Sequence, residues 1–298
     1  MKSANWYNST MFDLVEVATK DKLRLQGLYS SGKANKPAVI HFHGFQGDFF
    51  TNPFIRPVAK KLHENGYGFL SIQTRGMGND YLFNTTDGTW KRYGSYFEVH
   101  EEARLDIDAW IEFLKEKGYK QIILQGHSLG TFKIVRYLFE GTYPEIVNKL
   151  ILLAPFDNIY MAESYTKGKW KDYVKQAKQM VQEGKGEEII PKHWWDITIS
   201  INTYISWLDE NDFTHMFNFY DKKYLYPVLN KLNIPVKVIV GSKDEYLHTS
   251  NPSNPREAID IMKKNIENFS YKLIEDAKHS FTGYEDVLAR EILEFIKQ

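Results

Sequence analysis

The sequence predicts an α/β protein whose mostly parallel sheet is covered by helices on both faces. Compact β-rich runs without strict alternation recur at residues 38–42, 68–72, 121–124, 150–153 and 236–240, and strands buried on both faces have this pattern. Helical patterns with short links alternate with them, which calls for parallel strands joined by crossover helices. One long stretch, residues 157–227, breaks the alternation with helical spacing and no convincing buried strand.

The elements follow in order. Leu14, Val15 and Val17, then Leu23, Leu25 and Leu28, alternate with polar residues and predict two paired antiparallel strands ahead of the parallel part. Residues 53–65 place Val58 and Leu62 on one helical face. Residues 99–117 place Leu105, Ala109, Ile111, Phe113 and Leu114 at helical spacing, with acidic residues early and lysines late, the order that suits the helix dipole. A last helix is expected over 284–296. In 157–227, Trp170, Tyr173, Val174, Ala177, Met180 and Val181 keep helical spacing, and the stretch holds four of the seven tryptophans. It is expected to be a helical cap inserted into a core of residues 1–156 and 228–298, with some rings lining a pocket and others fixing the cap to the core.

Composition excludes several classes. The 298 residues carry 38 basic and 38 acidic side chains with no long run of Lys and Arg, so electrostatics gives no reason to expect a nucleic-acid or anionic-membrane partner. No cysteine is present, which rules out disulfides, thiolate metal sites and a Cys nucleophile. The N-terminus from Met1 to Trp6 leads into a polar segment without an apolar leader core, and nowhere do 18 apolar residues run together; a cytoplasmic protein is expected.

The chemistry concentrates at Gly126-His127-Ser128-Leu129-Gly130, directly after a predicted strand and before the helical run 132–139. A nucleophile on a tight strand-to-helix turn has strained backbone angles and needs small neighbours, and the helix N-terminus behind it favours developing negative charge. Without that placement the pattern would be an ordinary glycine-flanked turn. Serine is a weak nucleophile that needs a histidine oriented by a carboxylate. Asp244 follows the strand 235–240, and His279 comes 35 residues later, after the strand 270–274; Glu245, Asp276, His248 and His127 are competitors for these roles. An oxyanion needs preorganised N–H donors, and the Leu129 amide and the Phe45 amide of His43-Gly44-Phe45 are placed to supply them. His41 and His43 share a strand face, but the local sequence offers no third ligand, so neither metal nor cofactor is expected.

These residues, with Arg75-Gly76-Met77-Gly78 and Gly241-Ser242-Lys243-Asp244, resemble the α/β-hydrolase-fold serine hydrolases in family order over about residues 13–297. The resemblance implies an eight-stranded sheet, a Ser128/Asp244/His279 triad, and a cap between the sixth and seventh strands. Thr131 stands where family members often have a second glycine. The loop 79–96, with Trp90, Arg92 and Tyr93, is long and receives no role beyond surface packing or substrate contact. A serine at the elbow argues against the branches that use a carboxylate nucleophile. The function expected is hydrolysis of carboxylic esters, apolar or aromatic ones resembling feruloyl-type substrates, with a small-molecule ester as the partner. Another acyl hydrolase (thioesterase, lipase or peptidase) is the alternative, and a ligand-binding protein of the same fold is a further one.

Overall fold

The computed structural model describes residues 11–33, 35–249 and 254–298; the N-terminal segment read above for targeting lies outside them. An antiparallel pair, β1 (Asp13–Ala18) and β2 (Arg24–Ser30), forms one edge, and β2 runs antiparallel to β4 (Gly68–Ile72). From there β3 (Ala38–Phe42), β7 (Ile122–His127), β8 (Val147–Leu153), β9 (Val236–Gly241) and β10 (Phe269–Ile274) are all parallel. The eight strands run in the order β1-β2-β4-β3-β7-β8-β9-β10. Every residue of β3, β4 and β7 is buried, which is why these runs lack alternation.

One face is covered by α1 (Ile55–Glu64) and α8 (Glu285–Lys297), where Val58 and Leu62 pack with Ile292 and Phe295. The other takes α2 (Ala103–Glu116) and α3 (Leu129–Glu140), with Ile107, Trp110, Ile134 and Val135 in the core. Trp110 is fully buried, and its indole N–H donates to the Gln73 carbonyl at 3.1 Å. It lies so close to β2 that a Cβ on Gly27 would sit 2.9 Å from its ring. The expected helix 99–117 begins as a single tight turn, His100–Glu102, before α2. A helix not anticipated from the pattern, α7 (Pro255–Asn265), starts with Pro255 in its first turn and the Asn254 side chain accepting from the Glu257 amide at 3.4 Å.

The segment 79–96 corrects the expectation of a long loop. It folds into a hairpin, β5 (Tyr81–Asn84) with β6 (Trp90–Tyr93), whose Asp80 and Arg92 pair at 2.6 Å and whose Trp90 is exposed. Between β8 and β9 lie α4 (Asn158–Thr166), α5 (Trp170–Gln182) and α6 (Ile201–Leu208). The carbonyl of Tyr96 accepts from the Ser200 amide at 2.6 Å and the Thr203 hydroxyl at 3.0 Å, so the chain just after the hairpin pins α6. Among the described residues no helix is long and apolar enough to cross a membrane.

Buried charge organises the end of β4. The Arg75 side chain is 0% exposed and meets Asp106 at 2.9 Å, Glu102 at 2.7 Å and Asp21 at 3.2 Å. Its amide also donates to Asp106 at 2.8 Å. Gly76 is required beside it, because a Cβ there would lie 2.0 Å from the Glu98 carboxylate. Glu98 in turn meets the buried Lys133 of α3 at 2.6 Å. Removing one partner of such a pair leaves an uncompensated buried charge. Arg75→Met is therefore expected to cost about 3–5 kcal/mol in urea unfolding; a loss below about 1 kcal/mol, the size of a surface pair, would contradict this account of the core.

Candidate active site

Ser128 joins β7 to α3 with φ +53° and ψ −121°, a conformation that costs a non-glycine residue about 1–3 kcal/mol unless its surroundings enforce it. They do. The Ser128 amide donates to the Leu153 carbonyl at 2.9 Å, and its carbonyl accepts from the Thr131 amide at 2.9 Å and the Thr131 hydroxyl at 2.6 Å. Thr131, where a second glycine is common, is fully buried and contributes this extra bond. A Cβ on Gly126 would lie 2.5 Å from the Gly130 carbonyl, and one on Gly130 2.6 Å from the Phe42 carbonyl. The strand, the turn and the helix approach too closely there for any side chain.

The loop after β3 crosses in front of the serine, and a Cβ on Gly44 would meet the Ser128 Cβ at 2.8 Å. The Gly44 carbonyl accepts from the Gly47 amide at 3.1 Å and from His43 Nδ1–H at 2.9 Å. With Nδ1 donating, His43 Nε2 accepts from the Thr74 hydroxyl at 3.0 Å. Peptide planarity then turns the Phe45 N–H the opposite way from that fixed carbonyl. Among the described residues, neither the Phe45 nor the Leu129 amide has a protein acceptor.

Asp244 follows the C-terminal end of β9 and is 2% exposed. Its two oxygens face Nδ1 of His279 at 3.0 and 3.1 Å, and Oδ1 also accepts from the Tyr246 amide at 2.9 Å. Glu245 Oε2 instead accepts from the His279 backbone amide at 3.3 Å. His127 Nε2–H donates to the His279 carbonyl at 2.9 Å, so the residue is held by its backbone on both sides. The Tyr246 ring stands edge-on to the imidazole, 4.7 Å between centroids. Asp276 pairs with Lys243 at the surface, and His248 stacks on Tyr160. Among the described residues no hydrogen bond joins Ser128 Oγ to His279, but both line one cavity of about 580 Å³.

That cavity is lined by Phe45, Phe156, Met161, Trp195, Ile197 and Trp207, together with the polar Gln46, Asp48, Thr51 and Asn52. Trp207 packs edge-on to Phe45 at 5.1 Å and stacks on His100 at 5.7 Å. Trp195 and Trp207 belong to the aromatic enrichment of 157–227, whereas Trp194 stacks on Tyr173 at 5.3 Å and Trp170 donates to Glu163 at 2.8 Å. The aromatic count announced a pocket wall, but only the fold separates lining rings from fixing ones. The polar lining residues Gln46, Asp48, Thr51 and Asn52 carry no pattern in the sequence. His41 is buried and bonds Gln125 at 3.0 Å; among the described residues no group of three or more His, Cys, Asp or Glu is arranged to hold a metal.

An eight-stranded, mostly parallel sheet with this crossover order and a strained serine between β7 and α3 defines the α/β-hydrolase fold. Residues 18–297 match the model of the family described as "Protein of unknown function (DUF1749)", and the chain belongs to that family. The esterase Pf2001 of Pyrococcus furiosus superposes with a TM-score of 0.60 at 20% identity, covering 96% of this chain and 90% of that one. Est1E of Butyrivibrio proteoclasticus, solved with ferulic acid, gives 0.61 at 18%, covering 95% and 100%. The mouse alpha/beta hydrolase domain-containing protein 10 gives 0.59 at 17%, covering 96% and 98%. A curated relative, the UPF0613 protein PB24D3.06c of Schizosaccharomyces pombe, is 24% identical over 159 residues, 52% of this chain and 47% of its own length. The match thus spans about half of that relative.

Burial sets the charge of the site. It pushes His43 down to about 3, with the Lys133 ammonium adding to the effect, and His127 down to about 4, with His279 adding. Both rings are neutral in the native protein at pH 7, whereas in the unfolded chain they titrate near pH 6.5. Between these values the unfolded state binds more protons, so the stability present above pH 6.5 is lost as the pH falls towards 4. Unfolding free energies from urea titrations are expected to drop across pH 6.5–4.5, by about 1.4 kcal/mol per pH unit for each such ring, and His127→Gln is expected to flatten the slope. A pH-independent unfolding free energy over that range would contradict the assignment.

Proposed function

We propose that this chain is a serine hydrolase of carboxylic esters, with Ser128 as nucleophile, His279 as base and Asp244 as its orienting acid. The observation that carries the reading is the convergence on one cavity of a strained, glycine-flanked serine and an imidazole whose Nδ1 is held by a buried carboxylate. With Nδ1–H donating to Asp244, His279 Nε2 is the basic nitrogen. It takes the Ser128 proton as Oγ attacks the ester carbonyl, and the Phe45 and Leu129 amides hold the oxyanion. The imidazolium then returns that proton to the leaving alcohol. A water deprotonated by the same ring cleaves the acyl-enzyme and restores Ser128.

Residues 157–227 act in this reading as a cap over a core of 1–156 and 228–298, and Trp195 and Trp207 favour an apolar or aromatic ester group. The solved relatives named as esterases, one of them holding ferulic acid, support that choice. Ser128→Ala is expected to lower kcat on aryl esters about a thousandfold or more with an unchanged melting temperature. Asp244→Asn is expected to lose a comparable factor by freeing the wrong tautomer, while Glu245→Gln stays within a few-fold. Activity retained by Ser128→Ala would overturn the assignment.

A further inference from the structure

Resting on that reading, we infer that the cavity selects by charge, accepting neutral or cationic esters and excluding those with a carboxylate or phosphate near the scissile bond. Among the described residues no lysine or arginine lines the cavity; apart from its histidines and Tyr246, the one acidic or basic side chain lining it is Asp48. The histidines add no countercharge at His43 or His127, which burial keeps neutral. Lys133, the cation that acts on His43, is fully buried and committed to Glu98 at 2.6 Å.

Asp48 is not free to swing away. Its Oδ1 accepts from the amides of Phe50 at 2.8 Å and Thr51 at 2.6 Å, and Oδ2 from the Thr51 hydroxyl at 2.8 Å. Those bonds fill three of the roughly four acceptor positions of a carboxylate and leave one on Oδ2. A substrate hydroxyl or ammonium can use that position. A substrate carboxylate meets a fixed like charge and no cation, so it loses hydration without compensation. Asp48 also sits three residues after Phe45, on the loop proposed to hold the oxyanion, and lines the same cavity as Ser128. Half-esters of short dicarboxylic acids fall on the excluded side; esters of polyols and amino alcohols fall on the accepted side.

The test compares 4-nitrophenyl esters of equal chain length bearing a terminal methyl, carboxylate or trimethylammonium group, each with the parent protein and Ser128→Ala. The carboxylate ester is expected to show a kcat/KM lower than the methyl ester by about tenfold or more, and the trimethylammonium ester a value equal to or above it. Asp48→Asn, and Gln46→Lys on the exposed rim, are each expected to narrow the carboxylate gap to about threefold. Added salt is expected to narrow it in the parent as well, a readout that needs no variant to fold. Ser128-dependent hydrolysis of the carboxylate ester as fast as the methyl ester, or a gap that salt and both variants leave unchanged, would overturn the charge rule alone. Turnover that survives Ser128→Ala would overturn the nucleophile assignment as well.

Discussion

The backbone at the junction of β7 and α3 is packed so closely that Gly126, Gly130 and Gly44 have no room for a Cβ, and Ser128 is forced to φ +53°. Strain of this kind persists only where surrounding contacts over-determine it. Here the contacts are the Leu153 carbonyl, the Thr131 amide and hydroxyl, and the carbonyl of Phe42 on the neighbouring strand. The same closeness brings the loop after β3 across the serine and sets the Phe45 amide beside it. Site and sheet are one packing problem, because the strand order that buries β3 beside β7 also delivers the two loops that border the serine.

Behind that junction lies a layer of paired charges. Lys133, one turn into α3, holds Glu98; Arg75, beside Gly76, holds Asp106. The segment that carries Glu98 continues to Tyr96 on one side and to His100 and Glu101 on the other, and all three touch α6: through the Tyr96 carbonyl, the His100 amide on Ser206, and Glu101 on the Ser206 hydroxyl. Through these bonds the core fixes Trp207, which stacks on His100 and meets Phe45. Buried ion pairs add little net stability compared with apolar packing, but losing one partner of a pair is costly. Here they anchor the segment that bonds to α6.

Much of this was legible in the sequence. The runs at β3 and β4 were readable because strands buried on both faces are continuous apolar segments, and Ser128, Asp244 and His279 stood out by their order after strands. The choice between Asp244 and Glu245 was not readable, since adjacent residues on a loop point according to local backbone angles; the structure gives the imidazole to Asp244 and the His279 amide to Glu245. The hairpin β5–β6 escapes the sequence pattern because Tyr81 to Asn84 and Trp90 to Tyr93 are short, mostly exposed strands with little apolar alternation. The helix α7 has its start signal in Asn254-Pro255 followed by Glu257. The buried partners of Arg75, spread from Asp21 to Asp106, exist only once the chain is folded.

If Ser128 is an activated nucleophile, as proposed, a covalent serine probe finds it. Treatment with a fluorophosphonate followed by peptide mass spectrometry is expected to give a single adduct on the peptide carrying Ser128, formed much more slowly in a His279→Ala variant. A folded protein that takes no label, or one labelled at another residue with Ser128 untouched, would contradict the account.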